Sequence, residues 1–392
     1  MPLTGIRVVD LTRVLSGPFC TAVLADMGAD VIKIEAPGEG DQVRAQGYLK
    51  DGYSWYFANF NRNKRSITLD LYSDEGRAIL AKLIATADVV VDNYRPGVMA
   101  KMGFPPERLQ ELRPGIIAAS VNGFGATGPY AERPSFDFIA QAMSGFMSLN
   151  GREEDPPLRA GPPVSDLVAG LYGALGIAAA LVRRERSGRG ETLDVSLLGG
   201  LVSFLGFHAT NFFASGTVPP RTGNDHPIAA PYGLFRTADG EVAIAPSSDV
   251  FYARLMAALG LEEEAKDPAF ATNDLRIENR AAINALIESR TAMQPSAHWI
   301  EVLNRAGVPC GPLLHMQEVF EDPQVRHQRM AVTYDQPEAG PVTVLSLPVN
   351  FTEEPFRIRR PAPALGEHTG EVLAEIGVAP EEVARLRGKG VI

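Results

Sequence analysis

One long apolar segment, residues 161–184, constrains this chain most; it reads GPPVSDLVAGLYGALGIAAALVRR. Apolar residues on every side predict a buried helix, and the prolines before it predict a stiff loop that delivers Ser165 and Asp166 to the first turn. Unpaired N–H groups and the positive end of the helix dipole favour a charged carboxylate there. Asp166 is therefore either a helix cap, a role that Asp and Ser often have, or an ionised carboxylate held beside a cleft to react.

Strands alternate with helices in the part of the chain before this segment. In order, the apolar and periodic runs are strand 6–11, helix 19–27, strand 30–35, helix 74–87, strand 88–93, helix 106–112 and strand 115–121. Repeated βαβ units predict an α/β fold with a doubly wound, mostly parallel, Rossmann-like sheet. Ligands of such folds bind beyond the carboxyl ends of the strands. After the long helix we expect a strand over 191–197 and an apolar helix through Phe207.

The length of 392 residues exceeds one typical core, so we expect two domains. The predicted parts are a large α/β domain, a linker, a smaller α+β domain and a segment that returns to complete the large domain, over residues 1–213, 214–232, 233–330 and 331–392. Asp239 and Gly240 predict a hairpin near the start of the smaller domain. A last helix is expected at 369–376.

Composition narrows the class of protein. The net charge of −10 disfavours nucleic acid and acidic membrane surfaces as partners, although a local basic pocket remains compatible with it. The N-terminus lacks the pattern of a signal peptide, and the longest nearly uncharged run, 167–182, is short for a bilayer span. Only Cys20 and Cys310 are present, which argues against a disulfide framework. We expect a cytoplasmic protein.

Some motifs resemble binding or catalytic sites, but their sequence context does not support such a function. Residues 123–128 (GFGATG) follow a strand and match G-x-G-x-x-G, but Pro129 and Tyr130 come next instead of a helix. A dinucleotide fingerprint opens a helix at once, so a glycine-rich turn is the favoured interpretation. The histidines neither pair at i,i+4 nor cluster with cysteine, so no metal site is expected. Cys310 is interpreted as a structural thiol.

Positive charge gathers at two places in the first domain. Arg62, Lys64 and Arg65 form one cluster, while Arg95 and Lys101 follow a strand end. Each cluster alone is typical of a solvated loop. Two clusters near the carboxyl ends of parallel strands, in an acidic protein, favour a pocket for a polyanion such as a phosphorylated cofactor.

Blocks along almost the whole chain resemble the class III coenzyme A transferases, the family that includes formyl-CoA:oxalate CoA-transferase, carnitine CoA-transferase and the alpha-methylacyl-CoA racemases. In chain order the blocks are GIRVVDLTRVLSGPFCTAVLADMGADVIKIEAPGEGD, NRNKRSITLDL, VVDNYRPGVMAKMGF, GFGATGPY, FDFIAQAMSG, RTGNDHPIAAPYGLFRTADG, VPCGPLLHMQEVFEDPQV and LGEHTGEVL. Each block alone is only weakly specific for the family. Eight blocks in the family's order along the chain make a specific match. The resemblance implies an interlocked homodimer that acts on a CoA thioester and a carboxylic acid and holds no tightly bound cofactor.

In that family the nucleophile is an aspartate at the start of the long helix, which corresponds to Asp166. The resemblance implies that its carboxylate attacks an acyl-CoA thioester, giving an aspartyl anhydride and then an aspartyl-CoA thioester, from which an incoming acid takes the CoA. Such a nucleophile must be ionised near neutral pH, so we expect the helix N-terminus to lower its pKa. Nearby backbone N–H groups would stabilise the oxyanion.

The resemblance also assigns contacts to CoA. The matching positions are Leu15, Ser16, Leu69, Tyr72, Asn93, Tyr94, Arg95, Lys101 and Asp137. Lys101 is expected to meet a phosphate, and Asp137 is expected near the thiol end. A family arginine after the second strand is Ala36 here, so Arg44 is expected to hold the adenine end.

Two departures from the family pattern bear on the reaction. The oxalate-specific member covers its aspartate with a glycine-rich loop, whereas the matching residues 245–249 are APSSD, which argues against oxalate. Racemases place a histidine directly before the acid that corresponds to Asp137, and Phe136 stands there instead. Phenylalanine cannot carry a proton. We therefore predict CoA transfer to a short or dicarboxylic acid, with an alpha-methylacyl-CoA racemase or epimerase as the alternative.

Overall fold

A computed structural model describes residues 1–337 and 339–392. The chain divides into two compact units, Met1–Met147 with Arg159–Ser215 and Pro323–Ile392, and Ser148–Leu158 with Gly216–Asp322. The excursion 148–158, expected in the large domain, groups with the second unit because it pairs there: Arg152 bridges to Thr222, and the Arg221 guanidinium donates to three carbonyls of the excursion. Residues 216–232, expected as linker, also group with the second unit.

The strands, in chain order, are β1 (Arg7–Asp10), β2 (Asp30–Glu35), β3 (Leu49–Lys50), β4 (Tyr53–Ser54), β5 (Lys64–Thr68), β6 (Val89–Asp92), β7 (Ile117–Asn122), β8 (Glu191–Ser196), β9 (Gly233–Arg236), β10 (Glu241–Ile244), β11 (Cys310–Pro312), β12 (Ala331–Gln336) and β13 (Gly340–Leu345). The α-helices are α1 (Ser16–Asp26), α2 (Trp55–Asn61), α3 (Asp74–Ala85), α4 (Val98–Lys101), α5 (Pro106–Leu112), α6 (Asp137–Met143), α7 (Phe146–Leu149), α8 (Val164–Ser187), α9 (Leu197–Ser203), α10 (Phe207–Ser215), α11 (Asp249–Ala258), α12 (Asn273–Glu278), α13 (Arg280–Thr291), α14 (Ser296–Arg305), α15 (Met316–Glu321), α16 (Pro323–His327), α17 (Thr369–Glu375) and α18 (Pro380–Gly388).

The first unit is built on a parallel sheet whose described strands follow the order β5-β2-β1-β6-β7-β8. In the middle of the sheet Val9 pairs with Ile32 on one side and Val90 on the other, and all three are buried. Strands buried on both faces are typical of a parallel sheet covered by helices. The strand order reverses between β1 and β6, which places the expected ligand cleft at their carboxyl ends. The predicted parallel α/β sheet is confirmed.

Helix α8 packs closely against α1 through its glycines. Asp166, Gly170 and Gly173 are spaced i, i+4 and i+7, so they share one face of the helix. A Cβ atom on Gly170 would lie 2.5 Å from the carbonyl oxygen of Ser16, and one on Gly173 would lie 3.1 Å from the Sγ of Cys20. The missing side chains let α8 lie directly on the start of α1, which brings Asp166 beside the loop that follows β1.

By length and composition alone, α8 could cross a membrane. However, half of the residues in the most apolar stretch of this helix are buried inside the protein. Ala174, Ile177 and Leu181 pack there with apolar residues of β1, β6 and β7. These contacts are those of a core helix in a globular domain.

Strand β5 overturns the expectation that Arg62, Lys64 and Arg65 line a polyanion pocket. The Lys64 side chain is fully buried, with its Nζ 3.0 Å from Oδ2 of Asp10 and 2.7 Å from Oγ1 of Thr21. Burial acts to raise the pKa of Asp10, but Lys64, Lys33 and two hydroxyl hydrogen bonds outweigh it and hold that pKa below its usual value. The charge of Lys64 is therefore balanced by the carboxylate of Asp10 within the core.

The two arginines of the same cluster are also paired. Arg62 contacts the buried carboxylate of Asp26. Arg65 donates to Oδ2 of Asp30 on β2 at 2.6 Å and to Oε1 of Glu375 on α17 at 2.6 Å. These pairs fasten the end of α2, β5 and α17 to the rest of the first unit, so this cluster has a structural role.

The second unit contains the antiparallel sheet β11-β10-β9 and helices that cover it. Glu241 pairs with Arg236 across the turn, which confirms the predicted hairpin around Asp239 and Gly240. The hydrophobic core of the second unit includes Phe235, together with residues of α11, α13 and α14.

Two helices differ from the sequence expectation. The apolar helix expected through Phe207 is two helices, α9 and α10, with Gly206 between them in the left-handed region at φ 56°. The helix expected to be last, α17, is followed by α18, which begins at Pro380.

Candidate active site

A cleft opens at the carboxyl ends of β1 and β6. It has two chambers, of about 290 Å³ and about 670 Å³, which share Arg13, Tyr94 and Arg95 in their walls. The smaller is lined by Asp166 and the larger by Lys101, so we call them the Asp166 chamber and the Lys101 chamber. Because three residues stand in the walls of both, the two chambers are direct neighbours.

Most of the site residues expected from the sequence meet in this cleft. Leu15, Ser16, Asn93 and Asp166 line the Asp166 chamber, Leu69, Tyr72 and Lys101 line the Lys101 chamber, and Tyr94 and Arg95 line both. They come from the segments that follow β1, β5 and β6, from the starts of α1 and α8, and, for Lys101, from the end of α4. The parallel topology therefore gathers residues that are distant in the sequence.

Arg44, expected at the adenine end, does not line either chamber in the described part of the chain. Its guanidinium donates to both carboxylate oxygens of Glu35, at 2.8 and 2.7 Å, and lies 3.7 Å from the centre of the Phe57 ring. It also donates to the carbonyl of Pro363. Glu35 lines the Lys101 chamber, so in this structure Arg44 contacts the chamber wall through Glu35.

Asp137 is also absent from the described lining of the cleft, although it lies directly behind Asp166. Its Oδ1 accepts hydrogen bonds from the backbone N–H of Ser165 at 2.9 Å and from the Ser165 hydroxyl at 2.8 Å. Its Oδ2 accepts one from the amide of Gln141 at 2.7 Å. Since Pro163 occupies the N-cap position of α8 without a side-chain hydrogen bond, Asp137 caps α8 from outside the helix, and Asp166 does not.

The electrostatics of Asp166 differ from the expectation. Burial, and secondly the negative charge of Asp137, raise the pKa of Asp166 to about 7. We expected the helix N-terminus to lower it; desolvation and a second carboxylate outweigh the dipole. Within residues 1–337 and 339–392, the Asp166 carboxylate accepts no hydrogen bond. A half-buried carboxylate without hydrogen bonds, ionising near neutral pH, has the character of a nucleophile.

A strained residue forms part of the wall of the Asp166 chamber. Val14 lies in the left-handed region at φ 69°, which is costly for a β-branched residue. Its N–H donates to the carboxylate of Asp41 at 3.2 Å. The fully buried Lys33 donates to the same carboxylate at 2.9 Å and to the carbonyl of Thr12 at 2.7 Å. This charged brace holds the loop after β1 in one conformation.

Asn93 fixes the same loop from the neighbouring strand. Its Oδ1 accepts from the backbone N–H of Arg13 at 2.9 Å, and its Nδ2 donates to the Arg13 carbonyl at 2.7 Å. The side-chain amide is thus used to join the loops that follow β1 and β6. Its predicted place at the CoA cleft includes this supporting role.

The glycine motif 123–128 is the turn predicted after β7. The N–H of Gly125 donates to Oδ1 of Asn122 at 2.6 Å, and that of Ala126 donates to Oδ2 of Asp194 at 3.0 Å. Helix α6 begins only at Asp137, so the motif does not have the geometry of a dinucleotide loop.

Three residues near the site, Arg13, Arg133 and Tyr56, were not predicted from the sequence. Arg13 and Arg133 line the Asp166 chamber. Arg13 lies in the loop that follows β1, and this position beyond a strand end is the signal that could have identified it. Tyr56 on α2 lies close enough to Asp166 that burial, and then the charge of Asp166, raise the pKa of its phenol to about 12. Tyr56 therefore stays protonated beside the carboxylate.

Other reactive groups lie elsewhere. The Cys20 thiol is fully buried, and burial raises its pKa to about 12. Cys310 is half-buried, with a pKa that burial also raises. In the described part of the chain, groups of three or more His, Cys, Asp or Glu side chains that could hold a metal ion are absent.

The whole chain is similar to proteins of one family. A family model described as CoA-transferase family III matches residues 3–369. The chain is 39% identical over 382 residues to succinate–glutarate CoA-transferase of Agrobacterium fabrum, covering 96% of both chains. It is 41% identical to acetyl-CoA:oxalate CoA-transferase of Acetobacter aceti, covering 97% of both. A crystal structure of a CAIB/BAIF family protein from Brucella suis is 40% identical and aligns with a TM-score of 0.84, covering 96% of this chain and 99% of that one. The chain belongs to CoA-transferase family III and is a CoA-transferase.

Proposed function

We propose that this enzyme transfers coenzyme A from an acyl-CoA thioester to a dicarboxylic acid, with Asp166 as the nucleophile. The observation that carries the proposal is the environment of Asp166. Its carboxylate has a pKa of about 7 and lines a chamber that shares Arg13, Tyr94 and Arg95 with a second one lined by Lys101. A thioester in the first chamber and CoA phosphates in the second would match this cleft.

The transfer proceeds through four nucleophilic substitutions at acyl carbonyl groups, and water takes part in none of them. The Asp166 carboxylate attacks the thioester carbonyl, the C–S bond breaks, and a mixed anhydride and CoA thiolate result. The thiolate attacks the aspartyl carbonyl and releases the donor acid, leaving an aspartyl-CoA thioester. The acceptor carboxylate displaces the thiolate to form a second anhydride. The thiolate then attacks the acceptor carbonyl, which gives the new acyl-CoA and restores the Asp166 carboxylate.

Each attack places negative charge on a carbonyl oxygen. Helix α1 has no side-chain cap, and its first residue, Ser16, lines the Asp166 chamber. The first N–H groups of a helix lack intrahelical partners, so those of Ser16 and Gly17 are suited to stabilise the oxyanion. The Asp41–Lys33 brace keeps this loop in place through both half-reactions.

The acid substrate is proposed to be a dicarboxylate of the size of succinate or glutarate. Both relatives described above are named for a dicarboxylic acid, glutarate or oxalate. The segment 245–249, APSSD, lacks the glycines of the oxalate-specific pattern, which favours the longer acids.

Racemisation is the weaker alternative. It needs a second proton carrier beside the thioester. Phe136, a residue that lines the Asp166 chamber and is 71% exposed, stands where racemases carry their histidine. A phenyl ring there offers an apolar wall and no proton.

We further propose that the enzyme is an interlocked homodimer in the cytoplasm. Within the first unit, α8, α9 and α10 expose apolar side chains, among them Leu171, Leu175 and Phe213, the last 78% exposed. A surface of this kind favours association, and a second copy is the occupant that the family resemblance implies. Sedimentation should give a dimer, and Leu175→Asp should shift it toward monomer; a wild-type monomer at micromolar concentration would contradict this.

The function is tested with a panel of acyl-CoA thioesters crossed with free acids. Wild-type enzyme should move CoA between dicarboxylic acids, and Asp166→Asn should not. Transfer by the Asp166→Asn variant would remove the nucleophile assignment. Exchange of the C2 hydrogen of a 2-methylacyl-CoA with deuterium from solvent, without transfer, would instead establish the racemase alternative.

A further inference from the structure

The cations that line the cleft differ from those elsewhere in the first unit. Among the described residues, Arg13, Arg95, Arg133 and Lys101 have no acidic side chain within ion-pair distance and no side-chain hydrogen bond. In contrast, the cations of β5 are buried in ion pairs. In a protein of net charge −10, cations that face a cleft without acidic partners are suited to anionic groups of a ligand.

These four cations are unevenly distributed along the cleft. Lys101 lines only the Lys101 chamber, and Arg13 and Arg95 line both chambers. Arg133 lines only the Asp166 chamber. CoA carries its phosphates at the nucleotide end, and its sulfur must reach Asp166. The phosphates therefore belong toward Lys101, Arg13 and Arg95, and Arg133 is left for a charge near the reacting thioester.

Aromatic contacts orient the Arg133 guanidinium. Its central carbon lies 3.8 Å from the centre of the Tyr130 ring, and Tyr130 packs edge-on against Phe124 with ring centres 5.8 Å apart. A guanidinium stacked on a ring is held flat by its face, while its N–H edge is available for two parallel bonds to a carboxylate. The edge of Arg133 has no such partner in the described residues.

We propose that Arg133 binds the second, unreactive carboxylate of a dicarboxylic acid and so determines specificity for dicarboxylates over monocarboxylates. The proposal rests on the transferase function above. Because the other carboxylate must reach Asp166 in the same chamber, an acid that spans from Arg133 to Asp166 is positioned for attack. An acid with one carboxylate forms only the reacting contact.

The test compares matched acids on wild-type enzyme and on Arg133→Gln. Glutarate and pentanoate differ in one carboxylate, and one donor thioester is held constant so that the comparison reports the acceptor step. Arg133→Gln should lower kcat/KM for glutarate about 10- to 100-fold, the value of a lost charged hydrogen-bond pair, and should leave kcat/KM for pentanoate unchanged. Arg133→Lys should recover part of the loss on glutarate.

The outcomes separate this proposal from the function on which it rests. Wild-type enzyme that transfers CoA to no acid overturns both. Wild-type transfer that Arg133→Gln reduces equally for glutarate and pentanoate, or for neither, overturns the role of Arg133 alone. The exposed position of Arg133 makes loss of folding unexpected, and an unchanged unfolding midpoint is the control.

Discussion

The carboxylate of Asp137 accepts hydrogen bonds from both the backbone N–H and the hydroxyl of Ser165, at 2.9 and 2.8 Å. Asp137 stands in the first turn of α6 and Ser165 in the first turn of α8, so one carboxylate serves the N-termini of two helices. Asp166 follows Ser165 directly. The arrangement fixes the start of α8 and also places a negative charge behind Asp166, where it disfavours ionisation.

The pH dependence of the reaction follows from this pair. Burial and the charge of Asp137 raise the pKa of Asp166 to about 7, and only the ionised carboxylate attacks. We therefore expect kcat/KM for the acyl-CoA to rise as pH increases through about 7 and then to level off, because this ratio reports ionisation in the free enzyme.

Asp137→Asn tests the cause of the shift. It removes the charge but keeps an oxygen that can accept from Ser165, so the midpoint of the pH profile should move to lower pH. Asp137→Ala removes the hydrogen bonds as well and should also lower the plateau. An Asp137→Asn profile with the wild-type midpoint would show that Asp137 does not influence the ionisation of Asp166.

The contact between α8 and α1 should not tolerate a methyl group at Gly170. The added Cβ would lie 2.5 Å from the Ser16 carbonyl oxygen, so we expect Gly170→Ala to cost about 1–3 kcal/mol of unfolding free energy and to lower activity by displacing Asp166. Urea unfolding and the transfer assay measure the two effects.

Gly176→Ala is the matched control on the same helix. Its Cβ would lie 3.4 Å from Cδ1 of Leu193, an ordinary contact, and alanine favours helix by up to about 1 kcal/mol. We expect Gly176→Ala to keep or increase stability and to retain activity. Equal losses for both variants would argue against close packing as the reason for Gly170.

Lys64 and Lys101 should separate structural from binding cations. Lys64→Met leaves the buried carboxylate of Asp10 with its hydroxyl hydrogen bonds but without its ion-pair partner, which should cost about 3–5 kcal/mol in the free energy of unfolding. Lys101→Met removes an exposed cation from the cleft, so it should leave stability unchanged and raise KM for acyl-CoA roughly 10-fold. A Lys64→Met protein of normal stability with weakened CoA binding would restore the original interpretation of that cluster.

The sequence predicted much of the fold because periodicity reports burial directly. The burial expected on every side of α8 is only partly observed, because Leu171 and Leu175 are exposed. Strands such as β6 and β7, however, contain runs of consecutive apolar residues that are buried in the sheet, so their burial could be predicted from the sequence. Strand β5 was missed for the opposite reason. Its residues Lys64 and Arg65 look solvated, and their burial depends on carboxylates supplied by distant parts of the chain, Asp10 and Glu375.

The candidate site also has features that the sequence predicts and features that depend on contacts in the folded chain. Positions after strand ends could be assigned to the cleft because parallel strands point their carboxyl ends the same way. The pKa of Asp166 could not be predicted, since its direction depends on how deeply α8 is buried and on the approach of Asp137 from α6. Pairing of side chains such as Arg44 with Glu35 is likewise decided in three dimensions.

The central claim is that Asp166 becomes covalently linked to the CoA moiety. The most direct measurement incubates the enzyme with a donor acyl-CoA and no acceptor, treats it with borohydride or hydroxylamine, and maps the product by mass spectrometry. We expect modification at Asp166, in the peptide 162–184, and none in Asp166→Asn. Transfer that proceeds at the wild-type rate while Asp166 stays unmodified would contradict the claim.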